Sequence, residues 1–196
     1  MKYLKIIGIS LIVIIILTVS LFYYFNSSKM ISGLEAIELT TPYANNWDDN
    51  AVLVSITANN FYAEPTTLND SAGLFEEWFC TYAVLPSNEN STSVIQFRVF
   101  SNGTVIEQSQ GNTTYLFEGV ISNWIIDSDE AYHIAISDDV VKSWMQDHPN
   151  AKLGLFGSNP LDNSTWSISW IDKTDDNYGF LSADINAITG EIIVHS

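Results

Sequence analysis

Positive charge is scarce in this chain. Seven Lys or Arg stand against 23 Asp or Glu, a formal net charge of −16 over 196 residues. Nucleic-acid binders neutralise phosphates with clustered basic side chains, and no such cluster occurs here, so that class is excluded. Cysteine is nearly absent. A lone Cys80 excludes an intramolecular disulfide and a Cys-rich zinc site. Histidine is limited to His133, His148 and His195, with no H-E-x-x-H spacing. There is no G-x-S-x-G elbow and no phosphate loop. What is present is apolar: 46% of residues are hydrophobic and 13% aromatic, enough to bury a core and to exclude wholesale disorder.

The apolar residues are unevenly placed. Ile6 to Phe25 is an unbroken run of 20 uncharged, mostly apolar side chains. At about 1.5 Å per helical residue it spans a hydrocarbon core of about 30 Å. Lys2 and Lys5 precede it, and Phe22 to Phe25 close it as an interfacial aromatic belt. A cleaved signal peptide would have a shorter apolar region ending in small residues, and a type IV pilin start would carry a glutamate near its beginning. The run fits an uncleaved single-pass anchor in a lipid bilayer. The basic stub places the amino terminus in the cytoplasm and the rest outside. Beyond Lys29 there are four basic and 23 acidic side chains, so the exterior carries −19. Such acidity keeps a surface domain soluble in a salty medium.

Six N-x-[ST] sequons follow, at Asn26, Asn69, Asn90, Asn102, Asn112 and Asn163. With 17 Asn and 36 Ser plus Thr, about three arise by chance. Asn26 hugs the membrane. The other five are glycosylation candidates on exposed loops of a surface protein.

Periodicity sets out the exterior. Ser32 and Glu35 form a capping box ahead of a helical face at Ala36, Thr40, Tyr43, Ala44 and Trp47, with Pro42 expected to kink or divide the helix. Strands are expected at 51–58, 77–84, 92–100 and 105–108. Trp78, Cys80 and Tyr82 share one strand face and Phe79, Thr81 and Ala83 the other. Asn102-Gly103 reads as a type I′ hairpin turn. The plan then recurs. Asp127 as N-cap with Glu130 at N3 opens a helix bearing Ala131, Ile134 and Ala135, and a second helical set runs through Val140, Val141, Trp144 and Met145. Strands follow at 153–156, 166–171 and 180–185, and Thr189-Gly190 turns the chain into 192–194. Trp78 to Trp166 is 88 positions and Gly103 to Gly190 is 87. These offsets indicate a duplicated α+β unit, each helix packed on an antiparallel sheet. One unit of about 80 residues has a thin core, so the two should pack together. The expected divisions are 1–30 for stub and anchor, 31–112 for the first unit and 113–196 for the second, joined near Gly111-Asn112-Thr113-Thr114.

The second unit resembles a PepSY domain. The resemblance rests on Asp127-Ser128-Asp129-Glu130-Ala131, on Trp166 to Trp170, and on the terminal Asn186-Ala187-Ile188-Thr189-Gly190-Glu191-Ile192. The first unit resembles the family only in layout and has Asn102-Gly103 where the T-G-E turn would be. The resemblance implies a helix-first α+β fold in two units. It also implies an extracytoplasmic module of the kind found in peptidase propeptides and membrane-anchored surface proteins, associated with inhibition or regulation of peptidases. It does not imply catalysis.

The residues themselves offer little chemistry. Cys80 on an apolar strand face reads as a buried small hydrophobe, since no base is placed to activate it. Three scattered histidines do not supply the three or four ligands zinc needs. The acid pairs Asp48-Asp49, Asp138-Asp139 and Asp175-Asp176 read as solvated charge, because the 172–177 stretch has the wrong order for an EF-hand loop. The six Trp read as core, with an aromatic peptide- or glycan-binding face as the alternative. The expectation is a non-enzymatic binding or regulatory module without cofactor or metal. Its partner would be a peptide or an exported peptidase held on a sheet edge or groove. A structural cell-envelope surface protein is the first rival, and an enzyme of unknown type the second. The gene's neighbours would separate the first two.

Overall fold

The computed structural model describes residues 30–59, 72–85, 91–114, 117, 119–158, 164–173 and 179–195. The expected anchor Ile6 to Phe25 lies outside the described residues, as do Asn26, Asn69, Asn90 and Asn163. Among the described residues no helix is long and apolar enough to cross a membrane.

The protein is α+β with one antiparallel sheet. The chain runs α1 (Gly33–Trp47), β1 (Val52–Asn59), β2 (Glu77–Val84), β3 (Thr92–Phe100) and β4 (Val105–Thr113). It continues α2 (Ser128–Ser137), α3 (Asp139–Asp147), β5 (Lys152–Ser158), β6 (Thr165–Asp172), β7 (Gly179–Asn186) and β8 (Ile192–His195). The eight strands lie in the order β4-β3-β2-β1-β5-β6-β7-β8. Each half is therefore a helical segment followed by a four-strand meander, and the halves join where β1 pairs with β5. Ile56 pairs with Gly157 and Ala58 with Leu155. Ile56 and Leu155 hold matching places in the two halves, because Ile56 pairs with Cys80 and Leu155 with Ile168. The seam thus has the register of a two-fold axis perpendicular to the sheet.

Strict alternation decides which face is buried. Trp78, Cys80 and Tyr82 lie inward beside Ile95, Phe97 and Val99, and Trp166, Ile168 and Trp170 beside Leu181, Ala183 and Ile185. This face carries the helices, α1 against β1, β2 and β3, and α2 against β6 and β7. Among the described residues the opposite face has no helix on it. Burying Trp78, Trp166 and Trp170 almost completely removes about 150–250 Å² of surface from water per ring, so they dominate the core energetics.

α1 runs through Pro42 without a break. Proline removes one backbone donor, and we expected a kink or division there. Ala36, Thr40 and Ala44 all face the sheet and are fully buried. Thr40 Oγ1 donates to the Ala36 carbonyl at 2.9 Å, and Thr41 Oγ1 to that of Ile37 at 2.7 Å. Tertiary packing on both sides of Pro42 therefore keeps the helix continuous.

The two helices begin head to head over the seam. Ser32 Oγ accepts from the Glu35 amide at 3.2 Å, as the expected capping box requires. Asp127 caps α2 by accepting from the Ser128 amide at 2.6 Å, while Glu130 has its own amide bonded to Asp129. The same Asp127 Oδ1 also accepts from the Leu34 amide of α1 at 3.0 Å, and the buried Ser128 Oγ accepts from Gly33 at 2.8 Å. Beneath this joint Trp78 and Trp166 meet edge to face at 6.0 Å. Trp78 Nε1 donates to the Ile31 carbonyl and Trp166 Nε1 to that of Ile126, both at 2.9 Å. A Cβ on Gly33 would lie 2.4 Å from the Trp166 ring, so that position is closed to a side chain.

Both hairpins differ in detail from expectation. Gly103 has φ +83° and Gly190 φ +75°, the left-handed region a Cβ resists. Asn102 is not at positive φ, so the first turn is not type I′. Gly103 donates to the Phe100 carbonyl and Phe100 to that of Thr104, which makes a three-residue loop ending in a left-handed glycine. Gly190 donates to Asn186 and Asn186 to Glu191, a four-residue loop whose amides at Ile188 and Thr189 are held by Asn186 Oδ1. Beyond it Ile192 and Val194 pair with Ile185 and Ala183. β4 runs to Thr113, well past the expected end at Gln108. Gln108 sits in a bulge where the register with β3 shifts, and Gly111, Asn112 and Thr113 are strand residues.

Candidate functional site

Two surfaces offer more than solvated polarity. The first is the β4 edge. Among the described residues β4 pairs only with β3, and its residues from Ile106 to Asn112 are exposed. Beyond the bulge at Gln108, residues 109–112 run on as a regular edge. Beside it lies a cleft of about 470 Å³ lined by Trp47, Asp48, Val84, Ser93, Gln110 and Asn112. The carboxyl end of α1 closes one side, because α1 stops at Asp48, whose amide caps Ala44. Ser93 Oγ donates to Asn112 Oδ1 at 2.9 Å across the floor. The helix terminus and Asp48 give this end of the cleft a negative potential.

The second surface is the helix-free face of the sheet. One level row crosses all eight strands. Ile106, Arg98, Phe79 and Thr57 come from the first half, and Phe156, Ser167, Asp184 and Ile193 from the second. Arg98 is bonded to Glu77 and lies 4.7 Å from the centre of the Phe100 ring and 5.8 Å from that of Phe79. Its Nε is buried without an acceptor among the described residues. Asp184 Oδ1 accepts from Ser167 Oγ at 2.6 Å, and Oδ2 meets His195 Nε2 at 3.0 Å. This places a serine, an aspartate and a histidine together, in the wrong order for nucleophilic catalysis. A histidine must touch the serine to take its proton, and here the aspartate stands between them.

The remaining sequence candidates are dispersed. Cys80 is fully buried, and burial pushes its thiol up to about 12 against a lowering hydrogen bond from Thr40. A thiol so disposed stays protonated and inert at neutral pH. Trp78, Trp166 and Trp170 are core, which removes them from any aromatic binding face, while Trp124 packs on Trp166 at 4.5 Å. His133 is exposed on α2, and His148 caps α3 and meets the Trp144 ring edge to face at 4.1 Å. Among the described residues no three acid, His or Cys side chains are grouped to hold a metal ion. Asp138 is an N-cap, accepting from Val140 at 2.8 Å, and Asp172 is buried. Asn102 and Asn112 are both exposed, the first at a hairpin tip and the second on the β4 edge. Asn102, Gly103, Thr189 and Gly190 are turn residues. Sequence reasoning missed the Arg98–Asp184 row, whose only sequence signal is strand alternation, and the cleft, which needed the place where α1 ends.

The class defined here is an α+β protein with two helical segments on one face of an eight-stranded antiparallel sheet. No family model, no curated protein and no solved structure matches this chain.

Proposed function

We propose that this protein is a membrane-anchored extracytoplasmic binding or regulatory module made of two PepSY-like units, with the anchor at Ile6 to Phe25. Its ligand is an extended peptide segment, free or belonging to an exported peptidase that it modulates. The observation that carries this reading is the β4 edge at 109–112, which among the described residues borders no strand but β3, beside the cleft at Gln110 and Asn112. An added strand would satisfy the edge amides and carbonyls, and its alternate side chains would enter the cleft. The acidic chain and Asp48 favour segments bearing Lys or Arg.

The test uses the full chain in mild detergent against an array of extended peptides. Gln110→Trp fills the cleft from an exposed edge position. It is expected to abolish retention of Lys- and Arg-bearing peptides with circular dichroism unchanged. Retention unaffected by Gln110→Trp would overturn the reading.

A further inference from the structure

The helix-free face is poor in net charge in a molecule that is rich in it. Beyond Lys29 the chain carries −19. Among the described residues, strand alternation puts two carboxylates on this face, Glu77 and Asp184, and two cations, Arg98 and Lys152, besides His195. Among the described strand residues, this face thus holds two cations for two carboxylates, a balance unlike that of the chain beyond Lys29. The face is also apolar in places: Ile106, Phe156, Phe180 and Ile193 on it are 44–58% exposed. Depletion of net charge together with exposed aromatic and aliphatic side chains marks an interface core.

We infer that this face packs against the same face of a second copy, forming a two-sheet sandwich. The row across the sheet selects that partner. β3 and β7 are each third from the seam, on opposite sides, and carry Arg98 and Asp184 at the same level. A two-fold axis lying in the interface along the strands brings Arg98 of one copy over Asp184 of the other, twice per dimer. It also brings Ile106 over Ile193, and Thr57 over Phe156. An axis across the strands would instead set Arg98 on Arg98. Stacked sheets cross at about 30°, and Arg98 lies about 12 Å from the axis, so the pair is displaced by about 6 Å along the strands. An arginine side chain covers that distance. Eight strands about 4.8 Å apart give the row a span of about 34 Å, and Ala83 and Thr92 at one end of this face are buried within the chain, so the interface is centred on the row itself. The same axis leaves Ile31 of both copies at one end of the sandwich, as two chains rooted in one membrane require. The inference is independent of a peptide at β4, which occupies another surface.

The test is sedimentation of the full chain in mild detergent at tens of micromolar. The wild-type chain should sediment as a dimer. Arg98→Asp alone and Asp184→Arg alone should each be monomeric, since each homodimer then faces like charges. An equimolar mixture of the two variants should dimerise again, because both interchain pairs are restored. Mixing cannot rescue a chain that fails to fold, so recovery separates docking from stability. Phe156→Asp, a change at the exposed centre of the face, should be monomeric alone and in either mixture. A monomeric wild type, a mixture that stays monomeric while both variants are folded, or a dimer insensitive to all three changes would overturn the inference. The last outcome would place association in the apolar run at 6–25.

Discussion

Asp127 is the side chain whose removal tests how the two halves are joined. Its Oδ1 accepts the first amide of its own helix at 2.6 Å and the Leu34 amide of the other helix, 93 positions away, at 3.0 Å. Two positive helix ends thus share one carboxylate. Asp127→Ala removes a cap worth about 1 kcal/mol and strands a half-buried amide at about 1–3 kcal/mol. The expected loss is roughly 2–4 kcal/mol, a large part of a typical domain's stability. Asp127→Asn keeps the acceptor and should cost under about 1 kcal/mol, the share of the charge. Asp138→Ala is the control. Asp138 caps only α3, at an exposed site, so its loss should cost about 1 kcal/mol. Urea unfolding of the full chain in mild detergent, followed by Trp fluorescence, gives the three midpoints. Trp78 and Trp166 lie under the joint and report its opening. Ser128→Ala, which removes the acceptor for Gly33, should couple to Asp127→Ala by more than about 0.5 kcal/mol in a double-mutant cycle. If Asp127→Ala shifts the midpoint no more than Asp138→Ala does, the helix joint is not what locks the halves and the reasoning fails.

Gly190→Val should destabilise more than Gly103→Val. Both glycines have positive φ, a strain of about 1–3 kcal/mol for a side chain, but a Cβ at 190 also meets Ile126 at 3.2 Å while one at 103 meets nothing within 4 Å; equal melting shifts would contradict this. Cys80→Ala should lower stability by about 1 kcal/mol and leave peptide retention intact, and Cys80 in the native chain should resist thiol reagents until urea opens the core. Alkaline stability should fall from about pH 9: the folded Cys80 thiol and Tyr82 hydroxyl both hold their protons to about 12, while the unfolded chain releases them near 9 and 10. The unfolded state then binds fewer protons, so stability drops by about 1.4 kcal/mol per pH unit for Cys80 and about twice that once Tyr82 joins. A urea midpoint flat from pH 9 to 11 would refute the buried-thiol account. Intact mass of the chain recovered from its own membrane should include residues 1–25, and a mass beginning after Phe25 would rule out the uncleaved anchor.

Local chemistry was legible in the sequence wherever the cause is local. The alternation at Trp78, Cys80 and Tyr82 placed those side chains inward, because strand faces follow parity alone. Ser32 and Asp127 were readable as caps, and Gly190 as a positive-φ turn, because each answers to a few neighbouring backbone groups. Where a long-range contact competes with a local preference, the residues misled. Pro42 does not divide α1, because Ala36, Thr40 and Ala44 are held against the sheet on both sides of it. Asn102-Gly103 does not make a type I′ turn, because a three-residue loop fits the pairing of Phe100 with Thr104. β4 extends beyond Gln108 because β3 offers partners as far as Thr92, whatever its own Gln, Asn and Gly content suggests. The tertiary structure alone decided that β1 pairs with β5, so that eight strands form one sheet. That pairing sets Arg98 and Asp184 at equal distances from the seam and brings Asp127 to Leu34, and no spacing along the chain encodes such distances between strands and helices.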